Sequence, residues 1–164
     1  MTLRKLELKD APFMLEWMHD NSVVKYMQAD FASKTIDDCV RFIKNSSSDS
    51  QNLHLAIADE EDQYMGTVSL KNIKDNTAEF AITIRSIAMG KGISKQAMKD
   101  IIDVGFNQLN LSSVYWCVSP ENVRAVRFYD KNGYHRVLPD TLNIEGYNES
   151  QISSYYWYCI EDKS

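Results

Sequence analysis

The sequence predicts an α/β fold built on a mixed, mostly antiparallel sheet of six to seven strands with helices packed against it. Three features carry this expectation. Three strand-like runs follow one another with only short polar turns between them. The third of these runs leads through two glycines directly into a long amphipathic helix. A strand, a capped helix and a final aromatic strand then complete the chain.

Thr2 to Leu8 alternates as a strand, and Asp10 opens a helical stretch with Phe13, Met14, Trp17 and Met18 on one side. A second helix follows Thr35, with Ile36, Cys39, Val40 and Ile43 on one face, and ends in the serine-rich segment Ser46 to Ser50. Leu53 to Ala58, Tyr64 to Leu70 and Ala78 to Arg85 read as an antiparallel meander, because their connections are too short for crossovers. After Gly90 and Gly92, the apolar residues Met98, Ile101, Ile102, Gly105 and Leu109 lie opposite Lys95, Lys99, Asp103 and Asn107. Val114 to Val118 is a buried strand, Asn122 caps a helix running to Lys131, and Gly133 stops it. Tyr155 to Ile160 is the last strand, reached through the polar connection Asp140 to Ser154.

The 164 residues fit one domain, and 44% hydrophobic with 25% charged residues is globular composition. A net charge of −5 disfavours a phosphate backbone as the main ligand, so nucleic acid is not expected as a partner. The polar N-terminus and the lack of a long apolar run predict no membrane partner and a cytoplasmic address, with Cys39, Cys117 and Cys159 as reduced thiols. His19, His54 and His135 have no spacing suited to a metal site, and none is expected.

The informative segment is Ile82 to Ser94, in which a strand ends and Met89-Gly90-Lys91-Gly92-Ile93-Ser94 leads at once into a helix. The first turn of a helix presents amide protons with no intrahelical partner at the positive end of its dipole, which suits an anion such as a pyrophosphate. A tight structural turn is an equal reading of the glycines alone. The dinucleotide fingerprint is excluded, since Lys95 stands where a third glycine is required, and the P-loop pattern is absent.

In its wider context this segment resembles the coenzyme A pyrophosphate loop of the GNAT family of N-acetyltransferases, whose pattern is Arg/Gln-x-x-Gly-x-Gly/Ala. Gly92 is kept, whereas Met89 and Ser94 depart from the pattern. Asn122-Val123-Arg124-Ala125-Val126-Arg127-Phe128-Tyr129-Asp130-Lys131-Asn132-Gly133-Tyr134 is similar to the family's second stretch, Asn-x-x-Ala-x-x-x-Tyr-x-Lys-x-Gly-Phe/Tyr. Leu3, Arg4 and Trp17 resemble the RimJ/RimL-like branch, which includes spermidine and nucleotide-aminosugar acetyltransferases. The resemblance implies the GNAT fold, with a bulge near Ile82 to Ile84 where the strand parts from its neighbour. It implies acetyl-CoA as co-substrate and an amine acceptor.

The cofactor-binding residues it implies are Ile82, Thr83, Ile84, Met89, Gly90, Lys91, Gly92, Ile93, Ser94 and Asn122, the last also explained as a cap. Tyr129 takes the family's position for the acid that protonates the departing thiolate. Without the motif, its reading is a packed aromatic with a locally satisfied hydroxyl. Glu79 is the candidate base, acting through water, because an amine of pKa about 10.4 must lose a proton before attack. A solvated strand residue or a cross-strand ion pair explains Glu79 equally well. Cys117 reads as a buried small hydrophobe rather than an acetyl carrier, and Tyr155 to Tyr158 as core on one face. Asn21 to Ser33 and Asp140 to Ser154 are the expected acceptor loops. A non-catalytic acyl-CoA-binding or sensor module is the alternative reading, and homodimerisation is left open.

Overall fold

In the computed structural model, which describes residues 1–163, seven strands form one sheet in the order β1-β2-β3-β4-β5-β7-β6. They are β1 (Thr2–Lys5), β2 (Leu53–Ala58), β3 (Tyr64–Lys74), β4 (Thr77–Ile84), β5 (Ser113–Val118), β6 (His135–Val137) and β7 (Tyr156–Glu161). The helices are α1 (Ala11–Met18), α2 (Asn21–Val24), α3 (Ile36–Ser46), α4 (Ile93–Asn107), α5 (Val123–Lys131) and α6 (Glu149–Ser154). The only parallel pairing among the described residues is β4 with β5, as the crossover through α4 requires.

Each face of the sheet has its own apolar cluster. Val68, Leu70, Ala78 and Phe80 of β3 and β4 meet Ala97, Met98, Ile101 and Ile102 of α4, together with Trp116, Tyr129 and Tyr158. On the opposite face Met14, Trp17 and Met18 of α1 meet Cys39 and Ile43 of α3 over Ala56 and Tyr64. The indole N–H of Trp17 donates to Tyr64 Oη at 2.9 Å, so the second cluster closes without stranding its polar atoms.

Several element ends differ from the sequence reading. β1 stops at Lys5 and Leu8 enters a one-turn 3-10 helix. The Asp10 carboxylate accepts from Glu7 N at 2.9 Å and from Arg4, so it caps that turn and makes no side-chain cap on α1. α4 ends at Asn107, and Leu109, expected on its apolar face, lies beyond it. β6 and α2 are too short for periodicity to reveal. The aromatic run of β7 packs on both faces rather than one. Tyr158 stacks on Trp116 with ring centroids 5.6 Å apart, while Trp157 meets Tyr115 and Tyr147 on the other side.

Candidate active site

The sheet opens between its two parallel strands. β4 and β5 pair only at Thr77↔Ser113, Ala78↔Val114 and Glu79↔Tyr115. Beyond Glu79, β4 stays in register with β3 from Leu70↔Phe80 to Gly66↔Ile84, and β5 stays with β7. The strands therefore part, and the edge of Phe80 to Ile84 facing β5 carries backbone groups with no ladder partner among the described residues. Such an edge accepts an extended, amide-containing ligand as it would accept a strand. The expected splay is present, with Ile82, Thr83 and Ile84 on it. The expected bulge is not, because the β3–β4 register is regular there and shifts only between Lys71 and Lys74.

Regular pairing at that point depends on Gly66. A Cβ on Gly66 would stand 2.4 Å from Thr83 O and 2.9 Å from the Ile84 Cα, so any side chain would push β3 and β4 apart.

At the C-terminal end of β4 a short 3-10 turn (Ser86–Ala88) leads into the glycine loop and α4. Gly90 and Gly92 both have left-handed backbones, with φ of 78° and 76°. This turns the chain so that Gly92 is the N-cap of α4, and it supplies no side-chain cap. The first turn of α4 also lacks acidic residues, so its amides face outward without a competing anion. Met89, Gly90, Lys91, Gly92, Ile93 and Ser94 thus form one corner beside the open edge of β4. Arg124 of α5 reaches over this corner, its Nη1 3.4 Å from Met89 Sδ. A cation from α5 thereby touches Met89, the residue that stands where the family's loop pattern has Arg or Gln. Only a contact across elements places it there, and the local motif carries no sign of it.

Asn122 caps α5, its side chain accepting from Ala125 N at 3.3 Å. Tyr129, six residues into the helix stretch, is 8% exposed and packed among Trp116, Phe128, Tyr134 and Tyr158. Its hydroxyl makes no hydrogen bond among the described residues, so the locally satisfied alternative does not hold. Burial raises its pKa, which keeps the phenol protonated.

Glu79 sits at the last paired position before the strands part, and it is buried at 3% exposure. It is not a solvated strand residue. Lys71, its cross-strand partner, approaches only to 3.9 Å, whereas the phenol of Tyr147 donates to Glu79 Oε2 at 2.5 Å. Cys117 Sγ donates in turn to Tyr147 Oη at 3.6 Å. Cys117 is partly exposed on this side of β5 rather than a core residue, and burial pushes its thiol up to about 11. It stays a thiol, which is a poor nucleophile.

Desolvation raises the Glu79 pKa against the opposing effects of Lys71 and Tyr147. The sign for stability follows from proton linkage. The folded state holds this proton more tightly than the unfolded chain, so the stabilisation is complete below the ordinary carboxylate pKa and is lost as pH rises through the folded value. Melting temperature followed upward from pH 4 should fall through that window in the wild type. In Glu79→Gln that component of the slope should be absent.

Tyr147 escaped sequence reading because it lies in an irregular polar connection. Gly146, with φ of 83°, turns that connection just before it, and Tyr147 meets Trp157 at 5.3 Å. The two expected acceptor loops do meet, through Gln151 Nε2 donating to Gln28 Oε1 at 2.9 Å. A cavity of about 560 Å³ opens beside the first of them, on the α1–α3 face, and reaches Ala81, Ile82 and Thr83 of β4. His54 lies in it, with Nδ1 2.6 Å from Ser69 Oγ.

A family model described as an acetyltransferase (GNAT) domain matches residues 1–135. An uncharacterized N-acetyltransferase p20 of Bacillus licheniformis is 29% identical over 141 residues, covering 83% of this chain and 79% of that protein. The spermidine N(1)-acetyltransferase of Escherichia coli is 30% identical over 134 residues, covering 80% and 71%. The solved spermidine N-acetyltransferase of Vibrio cholerae, in complex with CoA and spermine, superposes with a TM-score of 0.78 at 23% identity, covering 98% and 94%.

Proposed function

This chain belongs to the acetyltransferase (GNAT) domain family, and on that premise we propose how it moves an acetyl group from acetyl-CoA to an amine. The observation that carries the proposal is the unpaired edge of β4 at Phe80 to Ile84 running up to the uncapped first turn of α4. The diphosphate of acetyl-CoA sits on the amides from Gly90 to Ser94, with Arg124 nearby, and the pantetheine arm runs along Ile82 to Ile84 toward Asn122. The thioester then lies in the fork between β4 and β5, where α5 brings Tyr129 to one side and the sheet brings Glu79 to the other.

An ammonium acceptor first gives up a proton, through water, to the Glu79 carboxylate, whose raised pKa makes it a better base than an ordinary carboxylate. The free amine attacks the thioester carbonyl, and a backbone N–H of the open β4 edge donates to the oxyanion. Collapse breaks the C–S bond, Tyr129 donates its proton to the departing thiolate, and the new amide nitrogen sheds its extra proton, through water, to the Tyr129 phenolate. Transfer is direct, with no acetyl group on Cys117. The chain works in the cytoplasm, where acetyl-CoA and reduced thiols are at hand.

Free-thiol release from acetyl-CoA over a panel of amines tests this reading. Transfer to at least one primary amine is expected. Tight acetyl-CoA binding with no release on any amine would instead support the non-catalytic sensor module.

A further inference from the structure

We propose that the acceptor is an amine on an apolar or aromatic body that also carries a negative charge, a carboxylate or a phosphate, and not a polyamine. This inference rests on the transfer reading above and concerns the 560 Å³ cavity that adjoins it, a volume suited to a small molecule.

The walls of the cavity are mostly apolar, including Met14, Trp17, Met18, Phe31 and Phe42, and the β4 residues Ala81 to Thr83 also line it. Its ionisable lining groups are Lys34, Asp38, Arg41 and His54. Asp38 is the sole carboxylate among them, and it is already occupied. It accepts from Thr35 N at 2.8 Å and Thr35 Oγ1 at 3.1 Å, and it pairs with Arg41. Lys34 is exposed at the mouth and makes no ion pair among the described residues. Burial holds the His54 imidazole below its ordinary range, so it is uncharged at neutral pH and adds no charge to the wall.

A polyamine carries several ammonium groups, each of which needs a carboxylate or an equivalent set of acceptors when it leaves water. Here it would meet apolar walls, an Asp38–Arg41 pair already made and the further cation Lys34. An apolar body fits the same walls, and a negative group on it meets the unpaired Lys34 at the mouth. The amine then points toward Ala81 to Thr83, on the strand that carries Glu79.

The test compares matched acceptors in the thiol-release assay with the full-length protein: phenethylamine, phenylalanine, tyramine O-phosphate and spermidine. At least one anionic acceptor should exceed both phenethylamine and spermidine by about tenfold or more in kcat/KM, and the two anionic arms separate carboxylate from phosphate. Lys34→Glu should lower that preferred rate by about tenfold through KM for the acceptor, with KM for acetyl-CoA unchanged. Spermidine as the best acceptor, equal rates for charged and uncharged aromatic amines, or an indifferent Lys34→Glu would overturn the inference while leaving transfer intact. Release on no amine at all would overturn the transfer reading as well.

Discussion

Tyr129→Phe should lower kcat by about 100-fold, a general acid contributing on the order of 10² to 10⁴ in rate. That corresponds to about 2.7 kcal/mol of transition-state stabilisation. KM for acetyl-CoA should not move, because the ring, with its contacts to Trp116 and Tyr158, is retained. Stability should be almost unchanged too, since the hydroxyl has no hydrogen-bond partner among the described residues to lose. This combination separates the acid from a packing residue. Steady-state kinetics with an urea melt on the same sample reads both, and a wild-type kcat would assign the proton donation elsewhere.

Gly66→Ala should be the most damaging change of a single methyl group. Contacts of 2.4 Å to Thr83 O and 2.9 Å to the Ile84 Cα involve backbone, which cannot rotate aside as a side chain can. β3 and β4 must separate, at a cost of about 1–3 kcal/mol as for other overpacked sites. The displaced segment is the one proposed to hold the pantetheine arm. Misplacing a bound thioester by about 1 Å lowers rate on the order of 10²-fold, so kcat/KM should fall by about that much even below the melting temperature. Gly105→Ala is the control. There the added methyl would meet only the side chains of Leu111 and Leu70, at 3.0 and 3.1 Å, which can shift without moving the strand backbone, so its effect should be on stability with kcat/KM retained.

Much of this arrangement was legible in the residues, for identifiable reasons. Alternation over Leu53 to Ile84 gave the meander, since one face of each strand meets helices and the pattern has a period of two. The glycine pair gave the corner before α4, because left-handed backbone at Gly90 and Gly92 is a local requirement that local sequence reveals. Asn122 as a cap was equally local.

What stayed hidden depends on contacts between distant segments. Tyr147 reaches Glu79 across 68 positions, from a connection with no periodicity. Arg124 meets Met89 across 35. The regular backbone at Ile82 to Ile84, where a bulge was expected, follows from Gly66 on the neighbouring strand, which lets β3 lie close. The two-faced aromatic run of β7 follows from its place between β5 and β6, with elements above and below.

In the proposed geometry coenzyme A is gripped by the free amides that open α4. Backbone amide shifts followed by NMR during titration with coenzyme A test this directly. Gly90 to Ser94 should show the largest changes, with Ile82 to Ile84 next. If those amides stay still while coenzyme A binds, the donor is held elsewhere and the proposed geometry is wrong.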